Sequence, residues 1–296
     1  MRPTRRVTLG LLAAGAGAAA LVASAPSRAL NLLAAVDTRR AGRDLPYGPL
    51  PRQRYDLYQP PAAPPPGGWP LVVFFYGGSW NRGERADYRF VGEALASRGL
   101  LALVADYRLY PQVTYPDFLH DCAAAVAHAL AQAASLGADP ARVFVMGHSA
   151  GAYNAAMLAL DPRWLRTAGR DAADLAGWIG LAGPYDFLPI TNPDARPVFH
   201  HPDVPPDSQP IRHAAEAPAL PAFLGAAARD DLVNPVRNTR GLAAALQAAG
   251  RPVTLRLYER VNHMTLAGAF AAPLRWLAPV LDDVAGFVAA TPARQA

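Results

Sequence analysis

The chain contains no lysine and only one cysteine, Cys122, in 296 residues. A single cysteine cannot form a disulfide within the chain, and the alanine-rich helical run around it predicts a small buried apolar side chain. Histidine and cysteine also lack the clustered spacing of metal ligands. The pair His200 and His201 lies in a proline-rich loop without nearby partners, so we expect no metal site.

An excess of positive charge is missing from most of the chain. The formal net charge is +5, but four of the 28 basic residues lie within residues 1–29, which contain no acidic residue: Arg2, Arg5, Arg6 and Arg28. The remaining residues carry 24 basic and 23 acidic side chains, which offer no basic stripe for a phosphate backbone. Nucleic acid is therefore not an expected partner.

Residues 1–29 have the pattern of an export signal or membrane anchor. Arg5 and Arg6 precede a run rich in Gly, Ala and Leu from Leu9 to Ala25, and the arginine pair resembles a twin-arginine signal. Small-residue triplets predict cleavage after Ala25 or Ala29. We expect an exported protein, periplasmic or secreted. If the segment is retained, its apolar run of 17 residues, Leu9–Ala25, lies at the lower limit of length for a membrane tether.

Residues 30–296 alternate between strand-like and helical patterns, as expected of a single α/β domain. Hydrophobic residues make up 52% of the chain, enough for a large core. The predicted strands are Arg54–Tyr58 at an edge, Leu71–Tyr76, Leu100–Ala105, Val143–Met146, Trp178–Ala182, Ala222–Gly225 and Val253–Tyr258. The predicted helices are Tyr88–Ser97, Phe118–Leu136, Ala150–Leu160, Asn238–Ala249 and Val280–Ala289. This alternation predicts a mainly parallel sheet of about eight strands, with helices on both faces and functional loops at the carboxyl ends of the strands.

The segment Gly147-His148-Ser149-Ala150-Gly151 has the pattern of a nucleophile elbow. It stands between a predicted strand and a predicted helix, where a turn so tight leaves no room for bulk beside the serine. The first amides of the helix then point at an oxyanion that forms beside the serine oxygen. Ser149 is the candidate nucleophile, and the amide of Ala150 is a candidate oxyanion donor.

Three other groups of residues follow predicted strands at the same edge of the sheet. A glycine-rich loop, Tyr76-Gly77-Gly78-Ser79-Trp80, begins at the last residue of the predicted strand Leu71–Tyr76. It matches the loop that completes an oxyanion hole. Acidic residues follow the strand Ala222–Gly225, and His263 follows the strand Val253–Tyr258. The other histidines are less suitable, because His120 and His128 lie in a helical run and His148 occupies the variable position of the elbow.

On these residues the chain resembles serine esterases of the α/β-hydrolase superfamily, nearest to the hormone-sensitive-lipase, feruloyl-esterase-like and kynurenine-formamidase-like branches. The resemblance extends from about Arg54 to the carboxyl terminus. It includes Asp106-Tyr107-Arg108-Leu109-Tyr110-Pro111, which is similar to a D-Y-R-L-x-P segment of such enzymes. The order serine, acid, histidine along the chain is also that of the superfamily.

The resemblance implies a role for each candidate residue. Ser149 is the nucleophile, His263 the general base and Asp231 the orienting acid, because the acid of similar enzymes stands directly before a short apolar pair and a proline. The oxyanion amides are those of Ala150 and of Gly78 or Ser79, with Gly77 in the same loop. The family's loop usually begins with histidine where this chain has Tyr76, so the contacts that support the loop must differ.

These roles predict a cofactor-free hydrolase that cleaves small-molecule carboxylic esters through an acyl-enzyme. Trp80 and Tyr76 are predicted to contact the substrate, and Trp80 is expected to close an acyl pocket that accepts only short chains. Residues 184–221 form either a pocket wall or lid, or an ordinary surface loop. A turn cap without a further role is one interpretation of Asp186 within them. Two alternatives stay open: an amide or formamide hydrolase with the same triad, and an exported binding protein without turnover.

Overall fold

The computed structural model describes Asn31 and residues 39–294, so the predicted targeting segment, residues 1–29, lies outside the described residues. Eight strands form one sheet: β1 (Arg39–Pro46), β2 (Arg54–Gln59), β3 (Trp69–Phe75), β4 (Leu101–Ala105), β5 (Ala138–His148), β6 (Gly177–Leu181), β7 (Ala222–Ala227) and β8 (Val253–Tyr258). Their spatial order is β1-β2-β4-β3-β5-β6-β7-β8. In this spatial order, every pair of neighbours from β4 to β8 is parallel, including the pairs that β3 forms. Strand β2 pairs antiparallel with both β1 and β4. The predicted α/β-hydrolase architecture of about eight mainly parallel strands is confirmed.

The predicted edge position of the strand Arg54–Tyr58 is wrong, because β1 lies outside it. The sequence of β1 is charged and irregular, and its register against β2 shifts on either side of Gly42. Arg40 donates to the carboxylate of Asp56 in β2, and the backbone amide of Asp44 donates to the same carboxylate. These polar contacts replace the apolar alternation by which a strand is usually recognised.

Seven α-helices lie in the described part of the chain: α1 (Arg89–Ser97), α2 (Asp117–Gln132), α3 (Ala150–Leu160), α4 (Arg163–Thr167), α5 (Gly241–Ala248), α6 (His263–Gly268) and α7 (Val280–Ala290). Helix α1 contacts α7, whereas α2 contacts α3 and α4. The predicted helix Asn238–Ala249 divides into a π-helical turn, Val236–Arg240, followed by α5. Among the described residues, no helix has the length and apolar character that a membrane span requires.

The core is centred on the middle strands and on the helix that follows β5. All residues of β3 are buried, as are all residues of α3. A parallel strand with covered faces needs a continuous apolar run, which Trp69–Phe75 provides. Because β3, β5, β7 and β8 are parallel, the loops that follow them meet at one edge of the sheet, where the candidate site residues lie.

Candidate active site

Ser149 occupies a sharp turn between β5 and α3. Its backbone has φ 55° and ψ −122°, which an L-residue rarely adopts and which marks a strained turn. A Cβ atom on Gly147 would lie 2.0 Å from the carbonyl oxygen of Gly151, and one on Gly151 would lie 2.0 Å from the carbonyl oxygen of Phe75. The glycines on either side of the serine are therefore required by the space around the turn.

His263 begins α6 and reaches the hydroxyl of Ser149. Its Nε2 lies 2.8 Å from Ser149 Oγ, and its Nδ1 lies 2.7 Å from a carboxylate oxygen of Asp230. A carboxylate only accepts hydrogen bonds, so Nδ1 carries the proton and Nε2 is free to accept the serine proton. The preceding Asn262 caps the helix by accepting from the amides of Met264 and Thr265, which fixes where the imidazole leaves the backbone.

The acid beside His263 is Asp230, and the prediction that Asp231 would pair with His263 is wrong. One carboxylate oxygen of Asp230 accepts from Nδ1 of His263, while the other accepts from the amides of Leu232 and Val233, each at 2.9 Å. The two amides thus hold the Asp230 carboxylate so that its other oxygen faces His263. Asp231 is exposed and lines the cleft, but the carboxylate bonded to His263 is that of Asp230.

The charge of Asp230 is stabilised in this position. Burial raises the pKa of the Asp230 carboxyl, but the hydrogen bond and charge interaction with His263, together with the amides of Val233 and Leu232, outweigh burial and lower it. A carboxylate that stays ionised holds the imidazole in one tautomer and stabilises the imidazolium that forms when the serine is deprotonated.

The glycine-rich loop lies directly against Ser149. A Cβ atom on Gly77 would come within 2.8 Å of the Ser149 Cβ, so the backbone passes the serine as closely as glycine permits. Gly78, Ser79 and Trp80 then have φ values of 131°, 51° and 57°. The hydroxyl of Ser79 accepts from the side-chain amide of Asn192 at 3.1 Å. The structure thus brings the predicted oxyanion loop beside Ser149 and beside Ala150, the first residue of α3.

Tyr76 does not contact the cleft, so its predicted role in substrate binding is wrong. Its side chain is buried beneath the loop, where the ring stacks between Tyr88 and Tyr107. Its hydroxyl accepts from Nη2 of Arg52 at 2.6 Å. The chain turns where β3 ends at Phe75. The turn places the glycines against Ser149 and the tyrosine ring in the protein interior, away from the cleft.

Trp80 lines the cleft, in agreement with its predicted position. Its indole N–H donates to the side-chain oxygen of Asn154 at 2.9 Å, and its ring makes edge contacts with Tyr153 and Phe199. Phe187 stacks on it from the segment 184–221. These contacts leave only 3% of Trp80 exposed, so the ring forms a fixed wall.

The cleft above Ser149 has a volume of about 630 Å³. Its walls include the first part of the segment 184–221, which is therefore a cleft wall and not an ordinary surface loop. Two ion pairs attach this wall to both sides of the site. Arg82 pairs with Asp194 on the side of the oxyanion loop, and Arg237 pairs with Asp186 at 2.8 Å on the side of the acid loop. Asp186 is thus an ion-pair partner at the rim.

His148 is a neighbour of the site that the sequence did not identify. It is buried, and its Nε2 donates to the backbone oxygen of His263 at 3.0 Å. Burial, and next the proximity of His263, lowers the pKa of His148 to about 3, so the ring is neutral at ordinary pH. Its position in the elbow is visible in the sequence, but its contact with the loop after β8 is not.

The chain is similar to a known family and to several curated proteins. The BD-FAE family matches residues 55–217. Over 250 residues the chain is 28% identical to an isoprenylcysteine alpha-carbonyl methylesterase of Arabidopsis thaliana, covering 77% of this chain and 58% of that protein. It is 29% identical over 266 residues to the esterase LipC of Mycobacterium tuberculosis, with coverages of 83% and 63%. The chain thus spans about three-fifths of the length of these curated relatives.

Solved structures show the same fold. An esterase of Pyrobaculum calidifontis superposes with a TM-score of 0.71 at 20% identity, covering 90% of this chain and 91% of that one. An esterase of Thermogutta terrifontis in complex with propionate superposes with a TM-score of 0.67 at 23% identity, covering 86% and 94%. The likeness extends over nearly the whole of both chains in each case.

Proposed function

The chain belongs to the BD-FAE family, and on that premise we propose that it is a serine esterase with Ser149, His263 and Asp230 as its catalytic triad. The observation that carries the proposal is the continuous chain of contacts from Asp230 through His263 to Ser149, at 2.7 and 2.8 Å. Each distance lies within the hydrogen-bond reach that nucleophile activation requires. The named esterases among the relatives support the same reaction class.

The reaction proceeds through an acyl-enzyme. Ser149 Oγ attacks the ester carbonyl carbon while its proton passes to Nε2 of His263, and the imidazolium then protonates the departing alkoxide. A water molecule next attacks the acyl carbon, gives its proton to the same nitrogen, and releases the carboxylic acid with the return of the proton to Ser149. Asp230 keeps Nδ1 protonated throughout and stabilises the cation.

Backbone amides hold the negative charge that develops on the carbonyl oxygen. The first turn of α3 has amides without helical acceptors, and Ala150 is the residue directly after the nucleophile. Gly78 and Ser79 supply the opposite side of the oxyanion hole, because the loop lies against Ser149. The amides are in position before the reaction, so they stabilise the transition state without reorganisation.

The substrate is an ester with a short acyl group. Trp80 forms a wall of the cleft and is held by Asn154 and by aromatic neighbours, so it cannot move aside for a long chain without breaking several contacts. Each methylene that found room would contribute about 0.8 kcal/mol to binding. Chains longer than butyryl should meet the Trp80 wall and lose this binding free energy, so acetyl to butyryl esters should be preferred.

A series of p-nitrophenyl esters from acetyl to dodecanoyl tests both parts of the proposal. We expect kcat/KM to fall beyond butyryl and a fluorophosphonate to label Ser149, with Ser149→Ala as the unlabelled control. A matching formanilide series distinguishes ester from amide cleavage. Absence of both turnover and labelling in a folded protein would reject the triad, whereas kcat/KM that rises through dodecanoyl would reject only the short pocket.

A further inference from the structure

Arg52 bonds to Tyr76, the first residue of the glycine-rich loop, and to Gly83, which lies three residues after the last residue of the loop, Trp80. Its Nη2 donates to the hydroxyl of Tyr76 at 2.6 Å and to the carbonyl oxygen of Gly83 at 2.8 Å. Its Nε donates to the carbonyl oxygen of Tyr107 at 2.9 Å. Tyr76 and Gly83 stand before and after the loop residues that pass Ser149, so one guanidinium group is bonded on both sides of them.

Tyr107 extends this connection to the peptide group that enters the loop. Its hydroxyl donates to the carbonyl oxygen of Tyr76 at 2.8 Å. That carbonyl and the amide of Gly77 belong to one planar peptide group, so a constraint on the oxygen also sets the direction of the amide. The amides of Gly78 and Ser79 follow one and two residues later, so a shift of this peptide group would displace them as well.

The phenol of Tyr76 is well suited to receive the guanidinium. Burial and the nearby Asp106 carboxylate raise its pKa well above the ordinary value, so the group stays neutral and accepts a hydrogen bond from Arg52. Without Arg52, the buried hydroxyl would lose its donor, as would the carbonyl oxygen of Gly83. A buried polar atom that loses its partner drives local rearrangement, because the unpaired state is costly.

We propose that Arg52 is a positioning residue of the oxyanion hole, which acts through Tyr76 and Gly83 to hold the amides of the glycine-rich loop in place. The proposal rests on the proposed esterase function. Arg52 contacts neither Ser149 nor the cleft, so its effect is on the transition state through loop geometry. The planar guanidinium serves three acceptors in fixed directions, whereas a lysine ammonium on a flexible stem does not reproduce this arrangement.

The test compares Arg52→Met, Arg52→Lys and Tyr76→Phe with a matched control, Arg142→Met. Arg142 donates to the carbonyl oxygen of Val288 and lies in β5, seven residues before Ser149, about 23 Å away at the usual rise of a strand. Each variant is assayed for kcat and KM with p-nitrophenyl acetate, for melting temperature, and for the Ki of an aryl trifluoromethyl ketone. Ser149 adds to this ketone, and the resulting hemiketal oxyanion occupies the oxyanion hole.

For Arg52→Met we expect kcat to fall about 10- to 100-fold while KM changes less than about threefold, since one complete oxyanion donor contributes about 100- to 1,000-fold. The Ki of the ketone should rise by the same factor as kcat/KM falls. Arg52→Lys should give an intermediate value, and Tyr76→Phe a loss of about three- to tenfold because Arg52 keeps its bond to Gly83. Arg142→Met should lower the melting temperature without changing kcat or Ki.

Two results would overturn the proposal. The first is kcat and Ki of Arg52→Met within about twofold of the wild type, and the second is an equal loss of kcat in Arg142→Met. If Arg52→Met does not fold, Tyr76→Phe and Arg52→Lys decide by the same criteria. A wild-type protein without turnover or ketone binding would refute the esterase function and this inference together, whereas an active wild type with unaffected Arg52 variants would refute the inference alone.

Discussion

The turn around Ser149 and the loop after β7 lie at the same edge of the sheet, but they are determined in different ways. The turn is so tight that a Cβ atom on Gly147 or Gly151 would lie 2.0 Å from a backbone oxygen. The loop after β7 has two adjacent carboxylates, Asp230, which is buried, and Asp231, which is exposed. Sterics specify the first region residue by residue, whereas the second depends on which carboxylate the backbone directs toward His263.

Local crowding therefore makes the proposed nucleophile recognisable in the sequence. The proposed acid is hard to assign, because only the folded loop decides which of the two carboxylates reaches His263. The chain bends directly after Asp230, so an error of one position exchanges a buried carboxylate for an exposed one. In the folded chain, Asp230 also accepts from the amides of Leu232 and Val233, which ties its direction to the turn itself.

The largest effect should come from the proposed nucleophile and the proposed base, which test the turn. We expect Ser149→Ala and His263→Ala each to lower kcat by several orders of magnitude, up to about 10⁶, and the double variant to be scarcely worse. The reason is that the two residues act as one unit. Turnover of p-nitrophenyl acetate by purified variants measures this, and retention of more than a tenth of the wild-type rate in either single variant would contradict it.

The next effect separates the two neighbouring acids of the loop. Asp230→Asn should lower kcat on the order of 10⁴-fold, because an amide permits the wrong imidazole tautomer. Asp231→Asn is the matched control and should change kcat less than about tenfold, since Asp231 is exposed and has no contact with His263. Kinetics on variants with equal melting temperatures decide the ranking. The opposite ranking would return the acid to Asp231.

Substitution of a flanking glycine should destabilise the fold itself. Gly151→Ala places a Cβ atom 2.0 Å from the carbonyl oxygen of Phe75, a backbone atom that cannot easily move. We expect a loss of about 3 kcal/mol in the free energy of unfolding, measured by urea denaturation. The control is Gly286→Ala in α7, where nothing lies within 4 Å and helix propensity favours alanine. Equal stabilities of the two variants would refute the steric argument.

The smallest effect concerns His148, which connects the turn to the loop after β8. Its pKa, lowered from 6.5 to about 3 by burial, means that the unfolded chain binds a proton more readily than the folded one below pH 6.5. The wild type should therefore lose up to about 1.4 kcal/mol of stability per pH unit from this group as the pH falls toward 3. His148→Gln should lose less stability between pH 7 and 5 by urea denaturation. Parallel slopes would contradict the prediction.

The sheet itself was predictable because buried parallel strands need continuous apolar runs. The strand Val253–Tyr258 and the helix Ala150–Leu160 have the predicted bounds. The strand that ends at His148 begins at Ala138, five residues earlier than the predicted start at Val143. The prediction missed this part because Asp139, Pro140 and Arg142 interrupt the apolar run. The charged strand β1 had no apolar pattern at all, since its pairing rests on contacts of Arg40 and Asp44 with Asp56.

The amino-acid sequence by itself determined the α/β architecture, the position of Ser149 and the region in which its histidine stands. These follow from hydrophobic periodicity and from the space available to glycine, which are local properties. Only the tertiary structure decided that Asp230 contacts His263, that Tyr76 is a buried support and that Arg52 holds the loop beside Ser149. Those contacts join residues between 24 and 33 positions apart, so no local pattern encodes them.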